Sequence, residues 1–186
     1  MDEIFVVNPF PAMVLLILIA PVSLSAEDMF EVSTFSSNGR SVAAEIAELN
    51  GDGRPDFFVV ALEGIPPEEK RTIRVYLQTA EGSFPTRPNH QLAVPAGSAV
   101  YDVADVVPQS PGEELVFLQS DGVTLLSLAD SSGQSWKLPV PGPATIGLAE
   151  DERGLEQFKL VYREFGAEPW ILVPQLGLLT ALTGAG

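Results

Sequence analysis

Apolar residues come in short runs along most of this chain. Phe57-Phe58-Val59-Val60-Ala61-Leu62 is one such run, and Glu63-Gly64-Ile65-Pro66-Pro67 ends it. Ile73-Arg74-Val75-Tyr76-Leu77 alternates with period two, as a half-buried strand does. Leu115 to Leu118 precedes Gln119-Ser120-Asp121-Gly122, and Val123 to Leu128 follows, which reads as a hairpin around an Asp-Gly turn. Trp170 to Val173 begins a similar arrangement with Gly177 in the turn. The segment most open to a helical reading is Val42 to Leu49. It runs straight into Asn50-Gly51-Asp52-Gly53, so it is read as a strand entering a tight loop. Glu63 to Thr72 reads as a lengthened hairpin connection, and Ala149 to Leu155 as a loop.

One stretch departs from this pattern. Met13 to Ala20 is MVLLILIA, followed by PVSLSA and then Glu27-Asp28. An apolar run broken by Pro21 and ending in small residues resembles a secretory core and cleavage site. The segment before it is negative, with Asp2 and Glu3, and the first basic residue is Arg40. Residues 1–26 are therefore expected to be an export signal. The alternative is a retained membrane anchor, since Ile4 to Ala26 is long enough to cross a bilayer. Either way, a membrane enters the reading only through this segment.

Composition narrows the rest. The chain has 186 residues, 25 acidic against 10 basic, and a formal net charge of −15. That balance excludes nucleic acid, whose phosphates need a basic footprint. No cysteine is present, which removes disulfides, thiolate metal sites and Cys nucleophiles, and there is one histidine. Gly and Pro number 16 each, the mark of a turn-rich fold rather than a helical one.

The strand runs also recur. Asp56 to Val60 aligns with Glu114 to Leu118 at an offset of 58 residues. Glu113 to Gly122 aligns with Glu168 to Gly177 at an offset of 55. Each unit is an acidic residue, an apolar strand, a turn and a second strand. A unit of this size holds about four short strands, close to one blade of a β-propeller. The expected fold is all-β: a partial or open β-propeller of about three blade-like repeats after an N-terminal hydrophobic segment. The units are residues 42–97, 98–146 (degenerate) and 147–186 (incomplete), with 27–41 as linker or first edge. Three blades are fewer than the four to eight of a closed propeller, so self-association to complete it is a further expectation.

The residues with the most chemistry are Glu48-Leu49-Asn50-Gly51-Asp52-Gly53-Arg54-Pro55-Asp56. Oxygen-bearing side chains stand at positions 1, 3, 5 and 9, and Gly53 stands where a chain wrapping an ion must turn. Calcium takes six to eight oxygens, which suits carboxylates, amides and main-chain carbonyls. An EF-hand would need Glu at position 12, where Val59 stands inside an apolar run, so that reading is rejected. A plain Asn-Gly-Asp-Gly turn that holds no ion is the alternative.

Glu48 to Val60 resembles the FG-GAP or VCBS type of repeat, found in integrin-α propellers and many secreted bacterial proteins. Its pattern is Asp-x-Asn-x-Asp-Gly-x-x-Asp followed by an apolar strand, and Glu48 departs from it where Asp is usual. Val75-Tyr76-Leu77, then Glu81-Gly82-Ser83-Phe84, also resembles the family's strand followed by Gly-x-Phe. The resemblance implies a structural calcium ion held by Glu48, Asn50, Asp52, the Arg54 carbonyl and Asp56. In the second unit Asp105 and Glu114 match Glu48 and Asp56, but Val107 and Gln109 replace the interior ligands, so that loop is expected to close without metal.

Other groups read as structural. His90 lies in Arg87-Pro88-Asn89-His90-Gln91, read as a polar loop between blades, and is expected to be solvated. Glu68-Glu69, Glu113-Glu114 and Glu150-Asp151-Glu152 are expected to be solvated loop charge, because adjacent strand residues point to opposite faces. Ser127, Ser131, Ser132 and Ser135 lack a base partner, and Trp136 and Trp170 are expected in the core. No catalytic residue is assigned. The expected function is an exported, non-enzymatic repeat scaffold with one calcium loop, meeting a protein or glycan partner. The alternative is the propeller part of a larger secreted enzyme acting on polysaccharide.

Overall fold

The computed structural model describes residues 32–35, 38–65, 68–130, 133–144, 155–163 and 168–183. The Met13–Ala20 run, the Glu150–Glu152 charges and most of the Ala149–Leu155 loop lie outside the described residues. The chain divides into two units, Met1–Ser33 and Thr34–Gly186, and every described strand belongs to the second. Among the described residues no helix is long and apolar enough to cross a membrane.

The described residues form twelve strands and no helix. The first sheet is an antiparallel meander of β1 (Arg40–Ala47), β2 (Asp56–Glu63), β3 (Lys70–Tyr76) and β4 (His90–Ala93), in that order. The second repeats the arrangement with β5 (Val100–Ala104), β6 (Glu114–Gln119), β7 (Gly122–Ser127) and β8 (Gln134–Pro139). A two-residue strand, β9 (Glu156–Gln157), adds to it in parallel with β5. The third has three strands, β10 (Val161–Tyr162), β11 (Trp170–Gln175) and β12 (Leu178–Thr183). Among the described residues the three sheets form no closed barrel or propeller.

The strands follow the hydrophobic runs. In β6 all six side chains are buried, and the alternation explains why. Leu115 and Phe117 pack with Phe58, Val60, Ile73 and Val75 of the first sheet. Val116 and Leu118 point the other way, onto Val161, Ile171 and Val173 of the third. The second sheet is therefore covered on both faces, and a strand in that place must be apolar throughout. The other face of the first sheet carries a ring cluster. Phe57 stacks on Tyr76 at 4.5 Å, and Phe35 and Phe84 each meet Phe57 edge-on at 4.8 Å.

Three expectations are corrected. The connection between β2 and β3 is Gly64 to Glu69, shorter than Glu63 to Thr72. The polar start of β3 pairs fully with β2, and Thr72 Oγ1 donates to Glu63 at 2.7 Å. His90 is the first residue of β4, opposite Val75 and half-buried, because the edge of β3 and not β4's own pattern sets that pairing. Trp170 is about half exposed, since it points to the uncovered face of the third sheet, whereas Trp136 packs against the second core cluster.

Removing the central ring should test this packing. Phe117→Ala is expected to cost about 3–5 kcal/mol in urea unfolding. Ile46→Ala, at a largely exposed position, should stay within about 0.5 kcal/mol of the parent.

Candidate functional site

The loop from Glu48 to Asp56 joins β1 to β2, and hydrogen bonds within it fix its shape. Glu48 Oε1 accepts from the amides of Gly51 (2.7 Å) and Asp52 (3.1 Å). Asn50 Oδ1 accepts from the Asp52 amide at 3.1 Å, and Asn50 Nδ2 donates to Asp52 Oδ2 at 2.8 Å. Asp52 Oδ1 accepts from the Arg54 amide at 2.9 Å, and the Arg54 guanidinium pairs with Oδ2 of the same carboxylate. Arg54 Nε also reaches the Gln78 carbonyl at 3.1 Å, which ties the loop to the end of β3. The Asn50 amide, with the Arg54 contacts behind it, holds the Asp52 carboxyl below its ordinary value.

Asp56 stands apart from these groups. It is fully buried at the root of the loop, and both oxygens meet backbone amides: Oδ2 accepts from Leu49 (3.1 Å) and Oδ1 from Gln78 (2.9 Å). Burial pushes its carboxyl up, against the opposing pull of those amides. Glu48, Asn50, Asp52 and Arg54 are thus brought together on one exposed loop, while Asp56 turns into the fold. Among the described residues no three acidic or histidine side chains group closely enough to hold a metal ion. Two carboxylates and an amide on an open loop fit a hard cation in kind. A cation would compete for the Glu48 and Asp52 oxygens with the loop's own amides and with Arg54.

The loop from Asp105 to Glu113, between β5 and β6, is built on the same plan. Glu114 opens β6 as Asp56 opens β2, and Glu114 Oε2 accepts from the amides of Val106 (2.9 Å) and Val107 (3.1 Å). Glu114 is fully buried, which corrects the expectation of a solvated pair at Glu113-Glu114. An acidic residue in this position closes its loop from below, so it cannot face solvent. Burial pushes the Glu114 carboxyl up, and the amide bonds offset part of that rise.

The two loops also grip each other. The Glu48 amide donates to Glu113 Oε2 at 3.0 Å, and the Glu113 amide donates back to the Glu48 carbonyl at 2.6 Å. Gly112 makes this approach possible. Its φ is +86°, and a Cβ there would lie 2.9–3.0 Å from backbone atoms of Leu49, Glu48 and Gly51. The alignment of Asp105 and Glu114 with Glu48 and Asp56 signals the shared plan, but nothing in the sequence marks Glu113 as a clamp.

Asp102 is a third buried carboxylate, and its pattern in β5 gave no warning. Oδ2 accepts from the amides of Leu160 and Val161, both at 2.8 Å, so Asp102 fastens the entry to β10 onto the second sheet. Between those sheets lies a cavity of about 330 Å³, lined by Val106, Leu125, Trp136, Leu138, Ile171 and Leu182 among others, with no charged side chain in its wall.

Two outcomes follow from this geometry. Gly112→Ala should lower stability by about 1–3 kcal/mol or more, because it combines positive φ with backbone contact; chemical denaturation measures it. Glu114 is one of three carboxyls that burial raises, with Asp56 and Glu45, and contributes to the pH dependence. A carboxyl whose pKa is raised on folding stabilises the fold once protonated, and that stability is lost as pH rises through the folded value. The melting temperature should therefore rise as pH falls from neutral toward the upper edge of the carboxylate range. Glu114→Gln, which keeps an acceptor but does not titrate, should reduce that rise.

No protein-family model, no curated protein and no solved structure matches this chain.

Proposed function

We propose that this chain is an exported, non-enzymatic scaffold of propeller-type β meanders, with Glu48 to Asp56 as a calcium loop, and that its partner is a protein. The observation that carries this reading is the direction of the acidic side chains in the two β-connecting loops. Glu113, Asp56 and Glu114 hold backbone amides rather than facing each other across a cleft. Carboxylates used in this way build a scaffold. Acid–base catalysis needs a pair facing a substrate.

Calcium fits as a structural ion. Bound by Glu48, Asn50 and Asp52, it would neutralise the Glu48 carboxylate, which now accepts from backbone amides, and share Asp52 with Arg54. It would add stability to the clamp between the loops rather than supply chemistry. A protein partner is favoured over a glycan because the apolar cavity between the second and third sheets offers no charged group and little to bond sugar hydroxyls.

Thermal unfolding tests the calcium loop. The melting temperature should rise with added calcium and return with chelator; saturation at 100 times Kd adds about 2.7 kcal/mol. Asp52→Ala should abolish the shift. An unchanged melting temperature, or an equal shift in the variant, removes the calcium loop from the reading.

A further inference from the structure

We propose that two adjoining cavities along the second sheet together bind a small neutral amphiphile, an apolar chain that carries an uncharged, hydroxylated head. One is the apolar cavity of about 330 Å³ between the second and third sheets. The other, of about 380 Å³, is lined by Gln109, Ser110, Ser127, Asp130 and Gln134 among others. Val107 and Trp136 stand in the walls of both, so the cavities share a boundary. Each has the size of a small-molecule site. This inference goes beyond the protein partner proposed above and rests neither on it nor on the calcium loop.

The change from apolar to polar is built into the strands. β7 and β8 pair Val123 with Leu138, Leu125 with Trp136 and Ser127 with Gln134. These pairs share one face, because alternate strand residues point the same way. That face runs from aliphatic side chains, through an indole, to a hydroxyl and a carboxamide. The loop beside it changes in the same order. Val106 and Pro108 wall the apolar cavity, and Gln109 and Ser110 wall the polar one. The polar wall is also held in place. Ser127 is buried, its Oγ lies 2.6 Å from Ser110 Oγ, and it accepts from the Ala129 amide at 3.2 Å.

The walls select the occupant. No Lys, Arg or His lines either cavity, so an anionic head meets no counter-charge, and a net charge of −15 opposes it further. The one carboxylate in the walls, Asp130, accepts from Gln134 Nε2 at 3.1 Å. Carboxamides and hydroxyls both donate and accept, as the hydroxyls of a sugar or glycerol head do. The Trp136 ring offers an apolar body where head and chain would join. A free sugar would leave the apolar cavity unfilled, and a plain alkyl chain would leave the polar groups unused.

Trp170→Phe leaves Trp136 as the one tryptophan of the full chain, so its fluorescence reports on both cavities. Octyl glucoside below its micelle concentration should change that fluorescence saturably. Hexyl glucoside, two methylenes shorter, should bind on the order of tenfold more weakly. Glucose and octyl sulfate should give no saturable change. Adding Gln109→Ala and Gln134→Ala alters only exposed side chains. It should weaken octyl glucoside about tenfold through the lost hydrogen bonds, with an unchanged far-ultraviolet circular dichroism spectrum. The proposal is overturned if octyl glucoside gives no saturable change, or if hexyl and octyl glucoside bind equally. It is equally overturned if the two alanines leave the affinity intact, or if octyl sulfate or octyltrimethylammonium binds more tightly than the glucoside.

Discussion

The burial of β6 on both of its faces is the constraint on which this fold depends. Leu115, Val116, Phe117 and Leu118 are each no more than 1 % exposed. A strand in that position requires a sheet on either side, and the first and third sheets supply them. A meander alone buries one face at most, so each of these sheets relies on its neighbour for its core. Burying four such side chains contributes roughly 6–12 kcal/mol against leaving them exposed. The conformational entropy of ordering the strands opposes that gain.

Stacking sheets this closely forces their connecting loops together, and loop backbone then loses access to water. The amides must find acceptors inside the protein. Asp56, Glu114 and Asp102 provide them, each a buried carboxylate accepting two or more backbone N–H groups. A carboxylate is a strong acceptor, but it resists burial. At Asp56 and Glu114 the burial prevails, and both carboxyls rise above their ordinary values. The acidity of the chain is thus partly architectural: some of its carboxylates hold the loops, and the remainder keep its surface charged.

Strand positions were legible wherever apolar residues alternate or run together, as in β2, β6, β7 and β11. They were less legible where pairing is imposed by a neighbour. The start of β3, Lys70-Arg71-Thr72, is polar, with Lys70 opposite Glu63 and Thr72 donating to it, and it reads as loop. β4 begins at His90 because β3 offers an open edge there. At the site, the spacing of Glu48, Asn50 and Asp52 was readable and places those three on one exposed loop, while Asp56 opens β2 and is buried. The direction of each side chain was not. Whether a carboxylate faces an ion, an arginine or an amide depends on contacts such as Glu48 with Glu113, which lie 65 residues apart. Trp170 was misplaced for the same reason. A strand pattern separates its two faces without saying which one is covered.

The third sheet extends that point to the whole stack. Its inner face, with Ile171 and Val173, is covered like the faces of β6. Its outer face has the same apolar character but nothing described lies on it. In a chain of this acidity, charged residues could have occupied Leu172, Leu179 or Ala181 without disturbing the inner core, because alternate strand residues are independent of one another across the sheet. Some other edges carry such residues, Arg40 and Glu45 on β1, Lys137 on β8 and Glu156 on β9, whereas β4 at the edge of the first sheet carries none. Among the described residues the outer face of the third sheet is uncharged all the same, with Trp170 49 % and Leu179 59 % exposed, so its composition follows the alternation of the strands and does not by itself mark that face as covered.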